Sequence, residues 1–342
     1  EGPNAISRVR AEPHHRALAG TGLQVTSGNF LPDPASRRPE TPMSMPAALP
    51  PFLRRPLRLW WGAALAGWCL AVQAAGLLTI LDGDALLIQG TQAQAAAEGV
   101  LVSDLALLRT GANTKVLRLE WDDGSVIDLG PDTQVMISPT AFGLRNKRAP
   151  SIYLLKGWAK QSSASTATPA GGLVTPKLDV QPFQGVLVAF VGADESWAFV
   201  ESGSAQVLER DGASQKLTLK NGEVYQRPAS GKGSVSPRPT PAQTQRVPRG
   251  FRDTLPHRAA AFKDRKVEPK PLPGPSVADL RDWFNAEPPL RKEFPRRFAP
   301  RVQESSFRGE LIRQFGDHPE WVPVLYPERL QKSSAASRPK AP

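Results

Sequence analysis

Beyond residue 74 the 342-residue chain has only two histidines, His257 and His318, and both lie in its last third. A Ser-His-acid site would have to carry one of them onto another part of the chain. The single cysteine, Cys69, rules out an intrachain disulfide, and no His, Cys or acidic pair has metal-ligand spacing. The acid doublets Asp122-Asp123 and Asp194-Glu195 sit in turn-like contexts. Neighbouring residues on an extended chain point to opposite faces, so neither doublet reads as a paired acid and base. There is no nucleophile elbow and no phosphate-binding loop. The expectation is a protein that is not an enzyme and uses no cofactor or metal.

Aromatic residues are the other candidates for chemistry. Trp121, Trp158 and Trp197 lie on or beside strand-like runs. They read as core packing, or alternatively as a platform on which sugar rings stack. Trp283, Phe284, Phe307, Leu311, Phe315, Trp321 and Tyr326 sit in a charged C-terminal stretch and are candidate partner-binding residues. They are too apolar for a solvated spacer, so they either dock back on the rest of the chain or bind a partner.

Composition locates the part that can position such groups. Of the 35 prolines, 10 fall in residues 1–74, 7 in 75–230 and 18 in 231–342. Only the middle of the chain is free enough of breakers for a continuous core. The formal charge of +11 is uneven as well: 231–342 holds 22 Lys and Arg against 12 Asp and Glu, whereas 75–230 holds 13 against 16. A basic tail suits acidic partners: nucleic acid, anionic lipid heads or acidic polysaccharide.

Residues 1–44 read as a disordered leader or a mis-assigned start, and residues 45–74 as a secretory signal. Arg54, Arg55 and Arg58 precede an uncharged run of 14 residues from Leu59 to Val72, and Val72-Gln73-Ala74 offers small residues for cleavage after Ala74. The rival is an uncleaved membrane helix from Leu59 to Leu81, but the residues from Gly76 onward are better used as a strand.

Residues 75–230 read as short strands separated by turns. Asp82-Gly83-Asp84 lies between Leu77–Leu81 and Ala85–Ile88, and Asp122–Ser125 lies between Lys115–Trp121 and Val126–Leu129. Both are hairpin signals. Further strands are expected at Gln134–Ile137, Ser151–Leu155, Val186–Phe190, Ser196–Val200, Ala205–Leu208, Lys216–Leu219 and Glu223–Tyr225, with a loop over 161–172. Residues 231–275 read as a Pro-rich linker. Residues 276–342 read as a basic tail with short amphipathic helices. One is capped by Ser276 and contains Val277, Leu280, Trp283 and Phe284; the other presents Phe307, Leu311, Ile312 and Phe315.

The stretch from Gly99 to Ile137 resembles the FecR periplasmic domain. The residues that carry the resemblance are Ser103-Asp104, Arg109-Thr110-Gly111, the turn Asp123-Gly124-Ser125, Leu129 and Pro131. Ile152–Ala159 and Phe199–Gln226 resemble later elements of that family, the latter as a strand-Gly-strand hairpin at Gly203 followed by Gly222-Glu223. Asp123-Gly124-Ser125 is explained by turn geometry, with a ligand contact as the alternative. Residues 1–58 do not resemble the cytosolic anti-sigma domain of the sigma-regulating members.

The resemblance, over about Gly76–Pro228, implies an all-β fold, a FecR-like β-sandwich or β-roll of short antiparallel strands; the Pro-rich tail with short helices follows it. It also implies a non-catalytic periplasmic module of a Gram-negative cell envelope acting in interaction, scaffolding or signalling. The partner would be an envelope protein or glycan and not nucleic acid, with membrane contact only if the signal is uncleaved. A glycan-binding module and a membrane-anchored regulator of an extracytoplasmic-function sigma factor are the alternatives.

Overall fold

The computed structural model describes residues 74–143, 150–165, 168–210, 216–265 and 267–328. The leader, the signal segment through Gln73 and Cys69 lie outside the described residues. Nine strands come first: β1 (Ala74–Asp82), β2 (Ala85–Gln89), β3 (Gln92–Ala95), β4 (Leu101–Ser103), β5 (Leu107–Thr110), β6 (Val116–Glu120), β7 (Val126–Leu129), β8 (Gln134–Ile137) and β9 (Ile152–Ser162). Since Ala74–Asp82 is extended, a helix cannot continue to Leu81 as the membrane-helix rival requires.

β9 is shared by two strand runs. Its first half pairs with β8, which leads to β5, β2 and β3. Its second half pairs with β7, which leads to β6, β1 and β4. Inward residues of both runs, among them Leu78, Leu87, Leu108, Leu117, Ile127 and Val135, are buried in one core.

The expected hairpin at Asp122–Ser125 forms, with Leu117 opposite Leu129 and Glu120 opposite Val126. Gly124 has φ +83°, and Asp123 accepts hydrogen bonds from the Ser125 N–H and hydroxyl at 2.8 and 2.9 Å. The expected hairpin at Asp82–Asp84 does not form. β1 pairs with β4 and β6, whereas β2 pairs with β3 and β5. The polar groups of that corner are taken by the 111–115 loop instead. Asp84 O accepts from the Gly111 N–H at 2.9 Å and from the Thr114 hydroxyl at 2.6 Å, and Asp82 O from the Lys115 N–H at 2.8 Å.

Seven strands follow: β10 (Leu173–Val174), β11 (Leu178–Val180), β12 (Gln184–Val191), β13 (Glu195–Glu209), β14 (Lys216–Lys220), β15 (Val224–Pro228) and β16 (Ser234–Ser236). The ring β9-β12-β13-β11-β10 closes on itself, with only the β9–β10 pair parallel. It is a five-stranded closed barrel. The sequence suggested two strands meeting in a hairpin at Gly203, but β13 is a single strand of 15 residues running through it. Gly203 (φ +82°) faces Gly185 (φ +109°) across β12 and β13. A Cβ at either position would come within 2.0 Å of the facing strand's carbonyl oxygen. The strands kink together there, and β13 passes from pairing with β15 to pairing with β14 and β11.

Two substitutions separate these glycine roles. Gly124→Val should cost about 1 kcal/mol from backbone conformation alone, and Gly203→Ala should cost more because it adds a backbone clash. Urea titration checks the ranking, and equal midpoints would contradict the kink.

The proline-rich stretch is laid along the β-domain, contrary to the expected extended linker. β16 pairs with β15, α1 (Pro241–Arg246) follows a Thr240–Gln243 capping box, and β17 (Lys270–Pro271) pairs with β3. We call 231–275 the strap. The chain ends in a cap of helices: α2 (Val277–Phe284), α3 (Pro288–Arg291), α4 (Phe294–Phe298), α5 (Ser305–Phe315) and α6 (Val322–Leu325). Ser276 caps α2 as expected, in a capping box with Asp279. On α5, Phe307, Leu311 and Phe315 are buried, but Ile312 faces outward at 37% exposure. Among the described residues no helix is long and apolar enough to cross a membrane.

Candidate functional site

The candidate partner-binding aromatics are used within the chain. Trp283, Phe284, Phe307, Leu311, Phe315 and Trp321 are buried in one cluster, with half-buried Tyr326 packed on it. Ile88, Ala93, Leu107, Met136, Tyr153 and Val174 supply the β-domain's side of that cluster. These residues are therefore a docking core rather than an exposed partner surface. Burying an aromatic side chain is worth roughly 1.5–3 kcal/mol, which outweighs leaving it in water.

Polar contacts fix how the cap sits. Arg109 on β5 pairs with Asp279 at 2.8 Å, and Gln134 and Lys156 both donate to Asp282 at 2.8 Å. Burial pushes the Asp279 and Asp282 carboxyls up. For Asp279 the Ser276 and Arg109 contacts outweigh it, and for Asp282 mainly those of Lys156 and Gln134, so both lie below the ordinary carboxylate value. Glu287 accepts from the Tyr153 hydroxyl at 2.6 Å and is gripped by both arms of Arg210. Burial and then Glu287 push the Tyr153 phenol far up, so it stays a donor. Arg297 reaches into the β-domain and donates to the carbonyls of Gly90 and Leu105 at 2.7 Å and of Ile88 at 3.2 Å. Burial lowers its guanidinium to about 10, so it remains charged at neutral pH.

A second polar group lies on the outer face of β6, β7 and β9, under the strap. Leu117 and Leu119 point into the core, so Arg118 and Glu120 share the opposite face of β6. Arg118 makes a bidentate pair with Asp128 at 2.7 and 2.8 Å, with the two side chains 9% and 3% exposed. Its remaining arm donates to Leu255 O at 2.8 Å. Lys160 donates to Phe251 O at 2.7 Å and pairs with Glu201. Glu120 accepts from the Thr79 hydroxyl at 2.6 Å and from the N–H groups of Arg258 and Ala259 at 2.9 and 3.2 Å, with His257 Nδ1 at 3.3 Å. Burial pushes its carboxyl up, but these contacts outweigh burial and leave it below the ordinary value. The Asp128 carboxyl is pushed up by burial despite Arg118.

Next to this row lies an aromatic group. Trp158 and Trp197 meet edge to face at 5.2 Å between centroids, Phe190 tilts against both, and Phe251 of the strap is buried in the same cluster with Val188 and Val224. Trp158 and Trp197 are 8% and 1% exposed, so they form no open platform for sugar stacking. Trp121 is half-buried and covers Gly76.

His257 and Glu120 supply two members of a triad, but the imidazole has no other hydrogen-bond partner among the described residues. Asp122 stays at an exposed turn, and Glu195 is tied to Gln226 and Arg246. Among the described residues no group of three His, Cys, Asp or Glu could hold a metal. The arrangement can bind peptide main chain: cations meet carbonyls and a carboxylate meets N–H groups. Sequence reading missed Arg118, Glu120 and Asp128 as site residues. Their signal was two opposite charges two apart on an otherwise apolar strand, with an acid across the hairpin.

No family model and no curated protein matches the chain. Two crystal structures of a candidate anti-sigma factor from Parabacteroides distasonis resemble it at 16% and 17% identity, with TM-scores of 0.30 and 0.28. The matches cover 36% and 35% of this chain and 55% of each of those chains, so they span about half the length of those structures.

Proposed function

We propose that the chain is a non-catalytic FecR-like module of the cell envelope, exported to the periplasm, that acts in interaction, scaffolding or signalling with an envelope protein or glycan. One observation carries this reading: the residues of the FecR-like pattern sit at the bends of five consecutive strands, β4 to β8. Thr110, at the end of β5, donates to Gly130 O at 2.6 Å and accepts the Thr133 N–H at 2.9 Å, tying that strand to the β7–β8 bend. Gly111 accepts the Asp132 N–H at 3.2 Å from the same bend. Asp123-Gly124-Ser125 forms the β6–β7 hairpin. Thr110-Gly111 and Asp123-Gly124-Ser125 thus have a common physical role in joining these strands, while Arg109 faces the cap and pairs with Asp279.

Export gives the test. The full-length gene, expressed in a Gram-negative host, should yield a protein that begins at Ala75 and fractionates with soluble periplasmic contents. Intact mass reads the start. A membrane-bound species that keeps Leu59–Ala74 would refute the cleaved, soluble form.

A further inference from the structure

The strap is fastened differently from the cap. The cap holds by a large aromatic core, whereas between Phe251 and Phe262 the strap is held by main-chain hydrogen bonds to buried charges together with a few side chains: Phe251, Phe262 and Arg258, which pairs with Glu98 at 3.1 Å. Phe251 O meets Lys160, Leu255 O meets Arg118, and the N–H groups of Arg258 and Ala259 meet Glu120. Of the side chains in between, Asp253 and Thr254 face solvent, while Arg252 turns back to donate to the carbonyls of Thr244, Gln245 and Val247. The anchoring side chain is Phe251, 2% exposed, buried in one cluster with Trp158, Val188, Trp197 and Val224.

A face that reads carbonyls and N–H groups with buried charges, and buries one aromatic side chain beside them, has the chemistry of a site for peptide main chain; here the resident segment carries Phe251 on a 3-10 turn, Arg249–Phe251. Covering a sheet face does not require this. Buried ion pairs are commonly no more stabilising than apolar residues of the same volume, and their use is in fixing one geometry.

We infer that the outer face of β6, β7 and β9 is a peptide-binding groove whose resident internal ligand is the strap segment 247–259. A proline-broken peptide of an envelope partner, with an aromatic residue on a tight turn four positions before a Leu-Pro, competes for the same groove. The resident Phe251, Leu255 and Pro256 define that spacing. This deepens the interaction reading and rests on it for the partner's existence. The groove is measured with purified full-length chain, so its failure and the failure of export are separate results.

The probe is a fluorescein-labelled synthetic peptide of residues 247–262, followed by anisotropy. The intact chain should bind it weakly, because the strap already fills the groove. Full-length Phe251→Ala, with a weakened strap, should bind it about tenfold tighter or more, since affinity scales with the fraction of open groove. Adding Lys160→Met should remove that gain. Should Phe251→Ala fold poorly, the wild-type sequence with a protease site inserted at exposed Asp253 and then cut should show the same gain. The inference is overturned if neither opened form binds tighter than the intact chain, or if a scrambled peptide binds equally well. It is also overturned if light scattering shows the opened forms dimerising, which would make a second copy's strap the occupant.

Discussion

Phe284→Ala is expected to destabilise the protein by about 3–5 kcal/mol. Phe284 is 1% exposed and stands at the centre of the cap, with ring centroids of Trp321 at 4.8 Å, Phe315 at 5.4 Å, Phe294 at 5.6 Å and Phe298 at 5.9 Å. Four surrounding rings contributed by α4, α5 and the Trp321 turn cannot collapse together into the space it leaves, so the cavity term is near its maximum. A loss of that size in a unit of this length lowers the melting temperature by roughly 10 °C. Ile312→Ala on the same cap should shift stability by only about 0.5 kcal/mol, because its side chain faces outward. Truncation after Pro275 extends the test: it uncovers Leu107, Met136 and Tyr153, and should lower the melting temperature and raise dye binding to apolar surface. Unchanged melting on truncation would mean that the cap is an independent appendage.

The strand pattern was legible wherever a strand carries its own period. Val126–Leu129, Gln134–Ile137 and Val186–Phe190 fall close to where apolar runs place them. Short strands such as Leu101–Ser103 and Leu173–Val174 were not legible, because two or three residues carry no period and are extended only through their neighbours. Asp82-Gly83-Asp84 shows a different limit. The turn chemistry is present, but whether the flanking strands pair is decided by the 111–115 loop, which takes the corner's polar groups. At Gly203 the glycine was visible, but its partner Gly185 is adjacent only in space, so a paired kink looked like a turn.

The strap and the cap show what composition conceals. Proline forbids long helices and central strands, but it does not forbid a chain laid along a surface through its carbonyls. The aromatic residues of the tail were recognisable as needing burial, and α2 was readable from Ser276 and its spacing. What covers them is a property of the β-domain's outer face, which alternation shows only as moderately apolar. Arg118 and Glu120 looked like solvent-facing residues of an amphipathic strand for the same reason. Their burial comes from strap residues more than a hundred positions later.

The second large effect is at that face. Arg118→Ala should cost about 3–5 kcal/mol, because it leaves the Asp128 carboxylate buried without its cation and frees Leu255 O. Arg118→Met with Asp128→Leu should recover most of the loss, since both charges then go together. The pH dependence distinguishes this from simple loss of packing. In Arg118→Ala the folded Asp128 carboxyl is raised further above its unfolded value. The folded state then holds the extra proton, so the defect is small below the ordinary carboxylate range and grows as pH rises through the folded value. Glu120 has the opposite sign: its folded value is depressed, so its contribution is complete above the ordinary carboxylate range and is lost as pH falls through the folded value. Glu120→Gln should therefore weaken the protein at neutral pH and converge with wild type in acid, because protonated Glu120 and Gln are alike in charge. Urea midpoints from pH 4 to 8 read both slopes. Parallel curves for Arg118→Ala and wild type would show that Arg118 acts by packing alone, and the buried charge row would then have no electrostatic part in holding the strap.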